Sequence, residues 1–293
     1  MHIVSKHTDT YVTGSEVWLV KPDNIDDVFR ICITAPRYPV TGGLCGAVIA
    51  TDAELSAGGL VSTLKSCAVG LDLPLLFAVS IGYPLEATPP FALRRNRDLT
   101  PTSWPAFQAV TPSLTGIAQT FATGESEAFL AFIDEELRPA LAEAFPIDPD
   151  DFTLTGQSFG GLFVLSTLLR RPKAFRRYLA VSSSLWWDDG ALVKLAEQVT
   201  ANSPPPSASV YMCTGELENQ ARFRVQFGPV KELVPPSMQR ADMMGDMFIM
   251  QGILQRWVGD DFSVEAHIFP QESHESIMGA AFSRGLRRLY GNL

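Results

Sequence analysis

The sequence is poor in cysteine, in histidine, in basic charge and in long apolar runs. Its four cysteines, Cys32, Cys45, Cys67 and Cys213, form no CxxC pair and no dense framework. That spacing excludes a disulfide scaffold or a structural zinc site as the organising element, and a reducing cytoplasm suits it best. No segment approaches the ~18 uninterrupted apolar residues that cross a bilayer. Met1 to Thr10 lacks a basic stretch followed by an apolar one, so no export signal and no membrane association are expected. Lys plus Arg number 23 against 32 Asp plus Glu, a net charge of -9, which argues against nucleic acid as a partner. With four histidines, no HExxH motif and no clustered carboxylates, no metal is expected either.

What is present suits a large packed core, because 46% of the 293 residues are hydrophobic and only 19% are charged. Short apolar runs recur at Val28–Thr34, Leu44–Ala50, Leu73–Ile81, Phe152–Thr155, Tyr178–Ser182, Ser209–Thr214 and Phe262–Phe269. Helical patterns separate them. Phe129, Phe132, Ile133, Leu137 and Leu141 share one face, Gly161–Arg170 is apolar nearly all round, and Met243, Met247, Met250 and Leu254 form a core stripe. Strands alternating with helices predict an α/β fold, a mostly parallel sheet covered on both faces, in a single domain over 1–293. Two proline-rich stretches, 83–116 and 216–238, read as irregular insertions at the carboxyl edge of the sheet, where ligands bind.

The sharpest local signal is Gly156-x-Ser158-x-Gly160. The bare pattern arises by chance in about one chain in ten of this length. Its setting is more specific: a β-branched run precedes it and a long apolar helix follows, the strand-turn-helix that a nucleophile elbow requires. The bland alternative is that Ser158 caps a helix. A serine hydroxyl needs a base. His2 and His7 precede the sheet pattern, and His267 alternates within a strand, which leaves His274, in the loop after the last strand, as the base. Because that imidazole must be neutral to work, activity is expected to fall on the acid side.

The acid that orients the base should follow a strand between residues 158 and 274. Glu218 is favoured, about three residues beyond the strand-ending Gly215, with Glu216, Asp188 and Asp189 as alternatives. The oxyanion donors are expected at the Phe159 amide and at Gly82 or Tyr83, after the third predicted strand. Arg94, Arg95 and Arg97 read as a basic patch beside the pocket, and Trp186 and Trp187 as an aromatic wall.

Seven segments together resemble the esterase family that includes esterase D, and more closely its enterobactin and salmochelin esterase group. They are Ser80–Tyr83, Arg94–Pro101, Gly156–Phe163, Ser184–Asp188, Gly215–Glu218 and Glu272–Glu275 followed by Ser283–Arg287, in family order. Ala47–Ala53 is similar to the family's second core strand, ending in an aspartate. The resemblance implies an α/β-hydrolase fold and hydrolysis of a small-molecule carboxylic ester without metal or organic cofactor. It maps Ser158 to the nucleophile and His274 to the base, and it puts the Arg94–Pro101 loop, with Arg97, near the substrate pocket. It also implies an uncertain acid, since some siderophore esterases of the group are Ser-His dyads. Acyl transfer by the same residues and a non-catalytic binding protein on the same fold are the alternative functions.

Overall fold

The structure is a computed structural model that describes every residue except 9–11, 87–89, 120, 220–233 and 292–293. Its centre is a nine-stranded sheet in the order β1-β2-β3-β5-β4-β6-β7-β8-β9. The strands are β1 (His2–Thr8), β2 (Ser15–Lys21), β3 (Phe29–Thr34), β4 (Cys45–Ala50), β5 (Leu76–Gly82), β6 (Ile147–Gln157), β7 (Arg177–Val181), β8 (Ala208–Gly215) and β9 (Phe262–Phe269). Pairing is antiparallel from β1 through β3 to β5, and parallel from β5 through β4 and β6 to β9. The seven predicted strands are all present. β1 and β2 are additional, so His2 and His7 stand on an edge strand rather than ahead of the sheet.

Alternation along each strand sends side chains to two separate cores. On one side Val48, Ala50, Leu179 and Val181 pack under α1 (Ala53–Val69) and α10 (Met278–Leu289). On the other, Ile49, Leu154, Ala180 and Met212 belong to a larger core that includes the apolar faces of the remaining long helices. These helices are α4 (Ser126–Ala131), which runs through a π-helical segment (Phe132–Leu137) into α5 (Arg138–Ala144), then α6 (Phe159–Arg170), α7 (Trp187–Asn202) and α9 (Met243–Leu254). In α6 every residue but Arg170 is buried, as its apolar circumference predicts; a fully buried Leu or Phe there contributes about 1.5–3 kcal/mol.

One expectation changes and one falls largely outside the described residues. The described residues of 83–116 include two helices, α2 (Phe91–Asp98) and α3 (Pro105–Thr115), Pro105 opening its helix where a missing N–H costs nothing. Of 216–238, residues 220–233 lie outside the described set, and the short α8 (Pro236–Gln239) follows. Among the described residues no helix is long and apolar enough to cross a membrane.

The Met stripe of α9 is buried as expected, and it carries a half-buried carboxyl with it, Asp246. Burial pushes Asp246 up to about 6, against a hydrogen bond from the Asp242 backbone and helped by the Asp242 charge. A raised carboxyl favours folding below its unfolded pKa and loses that advantage as the pH climbs through the folded value. Asp246→Asn should therefore leave stability unchanged near pH 4 relative to wild type. At pH 8 it should add about 1–2 kcal/mol, discounted for partial exposure, in urea unfolding.

Candidate active site

The parallel strands β4, β6, β7, β8 and β9 end at one edge, and each delivers one part of the site there. From β6 the chain turns sharply into α6 with Ser158 at φ 62°, ψ −116°, a conformation that L side chains rarely adopt. The turn closes only because its flanks are bare. A Cβ on Gly156 would come within 2.6 Å of both the Gly160 backbone and the Thr51 hydroxyl, and one on Gly161 within 2.7 Å of the Val181 carbonyl. The Ser158 amide donates to Val181 at 3.0 Å and its carbonyl accepts from Leu162 at 3.0 Å and Ser184 at 3.1 Å. Ser158 thus occupies an elbow rather than a simple helix cap, with no capping bond from its side chain.

The loop after β9 brings His274 to the same place. The Gln157 side-chain amide donates to the His274 carbonyl, tying the imidazole's backbone to the residue before Ser158. Nδ1 of His274 donates to Oε2 of Glu218 at 2.6 Å. Glu218 arrives from β8 through a turn in which its amide donates to the Gly215 carbonyl at 3.1 Å. Its Oε1 accepts from the Gly215 amide at 2.8 Å and from the Ser182 hydroxyl at 2.6 Å. Burial works against the Glu218 charge, but the bonds from His274, Ser182 and Gly215 outweigh it and hold the carboxyl below its ordinary value. With a carboxylate as its Nδ1 acceptor, the imidazole carries its proton there and keeps Nε2 as a base.

Ser158 and His274 both line two adjoining clefts of about 250 and 380 Å³. The smaller is mostly apolar, walled by Phe107, Leu114, Phe159, Trp186 and Met243; the larger adds polar side chains, Thr51, Asp52, Ser56, Arg95 and Gln157, to an apolar lining that includes Leu55, Phe91 and Met278. The prolines of 83–116 do deliver cleft residues, but on helices: Ala92 of α2 lines both lobes. Trp186 lies on the wall as expected. Trp187 is buried behind it, its indole N–H shared between the Thr102 carbonyl and hydroxyl at 3.2 and 3.1 Å.

The other acid candidates do not meet the imidazole. Glu216 accepts from the Gln271 amide at 2.9 Å, and Asp188 and Asp189 stand in a left-handed kink at the start of α7. His267 is engaged elsewhere, its ring edge-on to Phe269 with centroids 4.7 Å apart and its Nε2 3.4 Å from Arg284.

Two groups of expectations fail on geometry. Gly82 and Tyr83 line neither cleft. The Tyr83 amide donates to Glu54 at 2.8 Å and its hydroxyl to Asp98 at 2.8 Å, and Gly82 sits against the same Glu54 carboxylate. The strand beside β6 is β4, not β5, so the turn facing the elbow is Thr51–Asp52, with Asp52 left-handed at φ 55° and lining the cleft. The similarity of Ala47–Ala53 to a family strand was the signal for it. The arginines are not an open basic patch. Arg94 pairs with Asp27 at 2.5 Å, Arg95 makes two bonds to Asp52 at 2.7 and 3.0 Å, and Arg97 bridges Asp98 at 2.7 Å and Asp27 at 3.0 Å. Arg97 lines neither cleft; it ties α2 to Asp27 in the segment ahead of β3.

A mostly parallel sheet flanked by helices, with a left-handed serine on the central strand-to-helix bend and a histidine after the last strand, defines an α/β-hydrolase. Comparison with known proteins narrows this. Residues 118–243 match the family described as "Putative esterase". The chain is 36% identical to the siderophore enterobactin esterase of Emericella nidulans over 227 residues, 71% of this chain and 69% of that one. It is 27% identical to the ferri-bacillibactin esterase BesA of Bacillus subtilis over 281 residues, 94% of this chain and 89% of that one. The fold of siderophore hydrolase EstB from Aspergillus nidulans superposes with a TM-score of 0.77 at 22% identity, covering 97% of this chain and 98% of that one. The chain belongs to this esterase family and is a serine hydrolase of carboxylic esters.

Proposed function

We propose that the chain cleaves the ester bonds of a siderophore, the substrate class named for its relatives, by acyl-enzyme chemistry carried by Ser158, His274 and Glu218. The observation that carries this reading is the 2.6 Å bond from Nδ1 of His274 to Glu218 at the wall of the clefts that hold Ser158. Ser158 Oγ attacks the ester carbonyl carbon while Nε2 of His274 takes its proton. Glu218 stabilises the imidazolium so formed. The oxyanion faces the Phe159 amide at the amino end of α6, with the Asp52 amide as the second donor in place of Gly82 and Tyr83. Collapse of the intermediate expels the alkoxide, which receives the proton from Nε2. Water then repeats the attack on the acyl carbon with the same histidine as base, releasing the acid and restoring Ser158.

With Arg94, Arg95 and Arg97 each engaged by a carboxylate, recognition by the described residues rests on the apolar lobe more than on free cations. Trp186 and Phe107 suit an aromatic or apolar part of the ester. Trp186→Leu should lower kcat/KM about tenfold for an aromatic ester and leave an acetate ester within twofold. Equal losses on both would remove Trp186 from the specificity wall. The scattered thiols favour cytoplasmic action.

The test is a panel of short-chain p-nitrophenyl esters, simple lactones and a catecholate trilactone, assayed on wild type and Ser158→Ala with and without an added alcohol. The reading requires the trilactone to be turned over best and free acid to be the product. A preference for simple acyl esters would refute the siderophore assignment, and an acylated alcohol as main product would favour transfer.

A further inference from the structure

Glu218 is held from two sides, and only one of them is the histidine. Its Oε1 receives the Ser182 hydroxyl at 2.6 Å, and Ser182 is 1% exposed, so no water competes for that bond. The hydroxyl is aimed by the backbone. Immediately beyond β7, Ser182 adopts φ 45°, and its amide donates to the Cys213 carbonyl of β8 at 2.7 Å. A serine in the left-handed region costs about 1 kcal/mol that glycine would not incur, so the side chain offsets a strain that its position alone does not require. Two residues on, the Ser184 amide donates to the Ser158 carbonyl at 3.1 Å and its hydroxyl lies 3.3 Å from Ser158 Oγ. One run of chain, 182–184, therefore touches the acid at one end and the nucleophile at the other.

We propose that Ser182 is a positioning residue for ester hydrolysis: its hydroxyl fixes the Glu218 carboxylate so that Oε2 meets Nδ1 of His274 while Ser158 is held by the same segment. This rests on the Ser158-His274-Glu218 reading above. The other groups on the carboxylate are His274 and the Gly215 amide. The Cys213 thiol also faces it, and burial and then the Glu218 charge push that thiol well up, so it stays neutral. Besides the catalytic imidazole, Ser182 is thus the one side chain that donates to Glu218 among the described residues.

Losing a buried hydrogen bond to a charge corresponds to about 10- to 100-fold in rate. Ser182→Gly removes the hydroxyl and suits the left-handed backbone, so it keeps the fold where Ser182→Ala retains the strain. Both should lower kcat by at least about tenfold with KM within twofold. Without its donor the Glu218-His274 pair holds its proton more tightly, so the acid limb of the rate profile moves to higher pH; in Glu218→Gln the charge is gone and the limb moves to lower pH. In a Glu218→Gln background, Ser182→Gly should cost no further activity, because its effect runs through that carboxylate. Wild-type kcat in both Ser182 variants, or the same fractional loss with and without Glu218, would overturn the proposal while leaving the Ser158 and Glu218 assignments standing. Undiminished turnover by Ser158→Ala would instead bring down the underlying reading and this proposal together.

Discussion

Ser158→Ala is expected to lower kcat/KM for any ester substrate by about 10⁴-fold or more, with the fold intact, because it removes the atom that forms the covalent bond. The companion substitution Ser158→Gly separates chemistry from stability. Ser158 stands at φ 62°, ψ −116°, where a side chain costs roughly 1–2 kcal/mol and glycine costs almost nothing. The glycine variant should be as inactive as the alanine variant yet unfold at higher urea concentration than wild type. The strain is then stored at the nucleophile and compensated by the rest of the fold, the pattern of a site where activity and stability oppose each other. If Ser158→Gly were less stable than wild type, the strain reading would fail. If either variant retained turnover, the nucleophile would have to be sought elsewhere in the clefts.

Glu218→Gln carries the second large effect. The amide keeps the shape of the carboxyl but offers no charge, and turned with its NH₂ toward the ring it favours the wrong imidazole tautomer, so kcat should fall by about 10²- to 10⁴-fold. Glu216→Gln is the matched control. Its carboxylate caps the Gln271 amide at 2.9 Å in an exposed turn, and its loss should leave kcat within twofold. The pair of variants discriminates a triad from a Ser-His dyad. In a dyad the two substitutions would have similarly small effects, since neither carboxylate would be stabilising the imidazolium. The geometry favours the triad, because three donors converge on the Glu218 carboxylate and keep it ionised in spite of burial.

Much of the site was legible in local sequence because local rules position it. Gly156, Ser158 and Gly160 are where the strand-to-helix bend needs small residues, and the apolar run after them is the buried α6. The offset from Gly215 to Glu218 is a turn whose own amides hold the carboxylate. His274 followed from the direction of the last strand. The misplaced parts depend on spatial order that the chain does not display. β1 is mostly exposed, so its residues carry little apolar signal, and β2 is the strand beside it. Counting strands from Val28 therefore put the oxyanion turn after β5, whereas the sheet crosses over and places β4 next to β6. The arginines misled for a related reason. Sequence shows Arg94, Arg95 and Arg97 together, but their partners Asp27 and Asp52 come from earlier loops, and only folding reveals that the charges are already matched. Ser182 and Gln157 were not visible as functional groups, since each acts through a hydrogen bond to a residue far along the chain.

The central claim is that the Ser158 hydroxyl becomes a nucleophile under the influence of His274. Peptide mapping by mass spectrometry after stoichiometric reaction with a fluorophosphonate tests it most directly, on the active enzyme and on His274→Ala. One adduct per chain, on the peptide that contains Ser158, formed at least about 10³-fold more slowly in the His274 variant, is the result this account predicts. An enzyme that hydrolyses esters while Ser158 stays unmodified, or that labels equally fast without the imidazole, would contradict it.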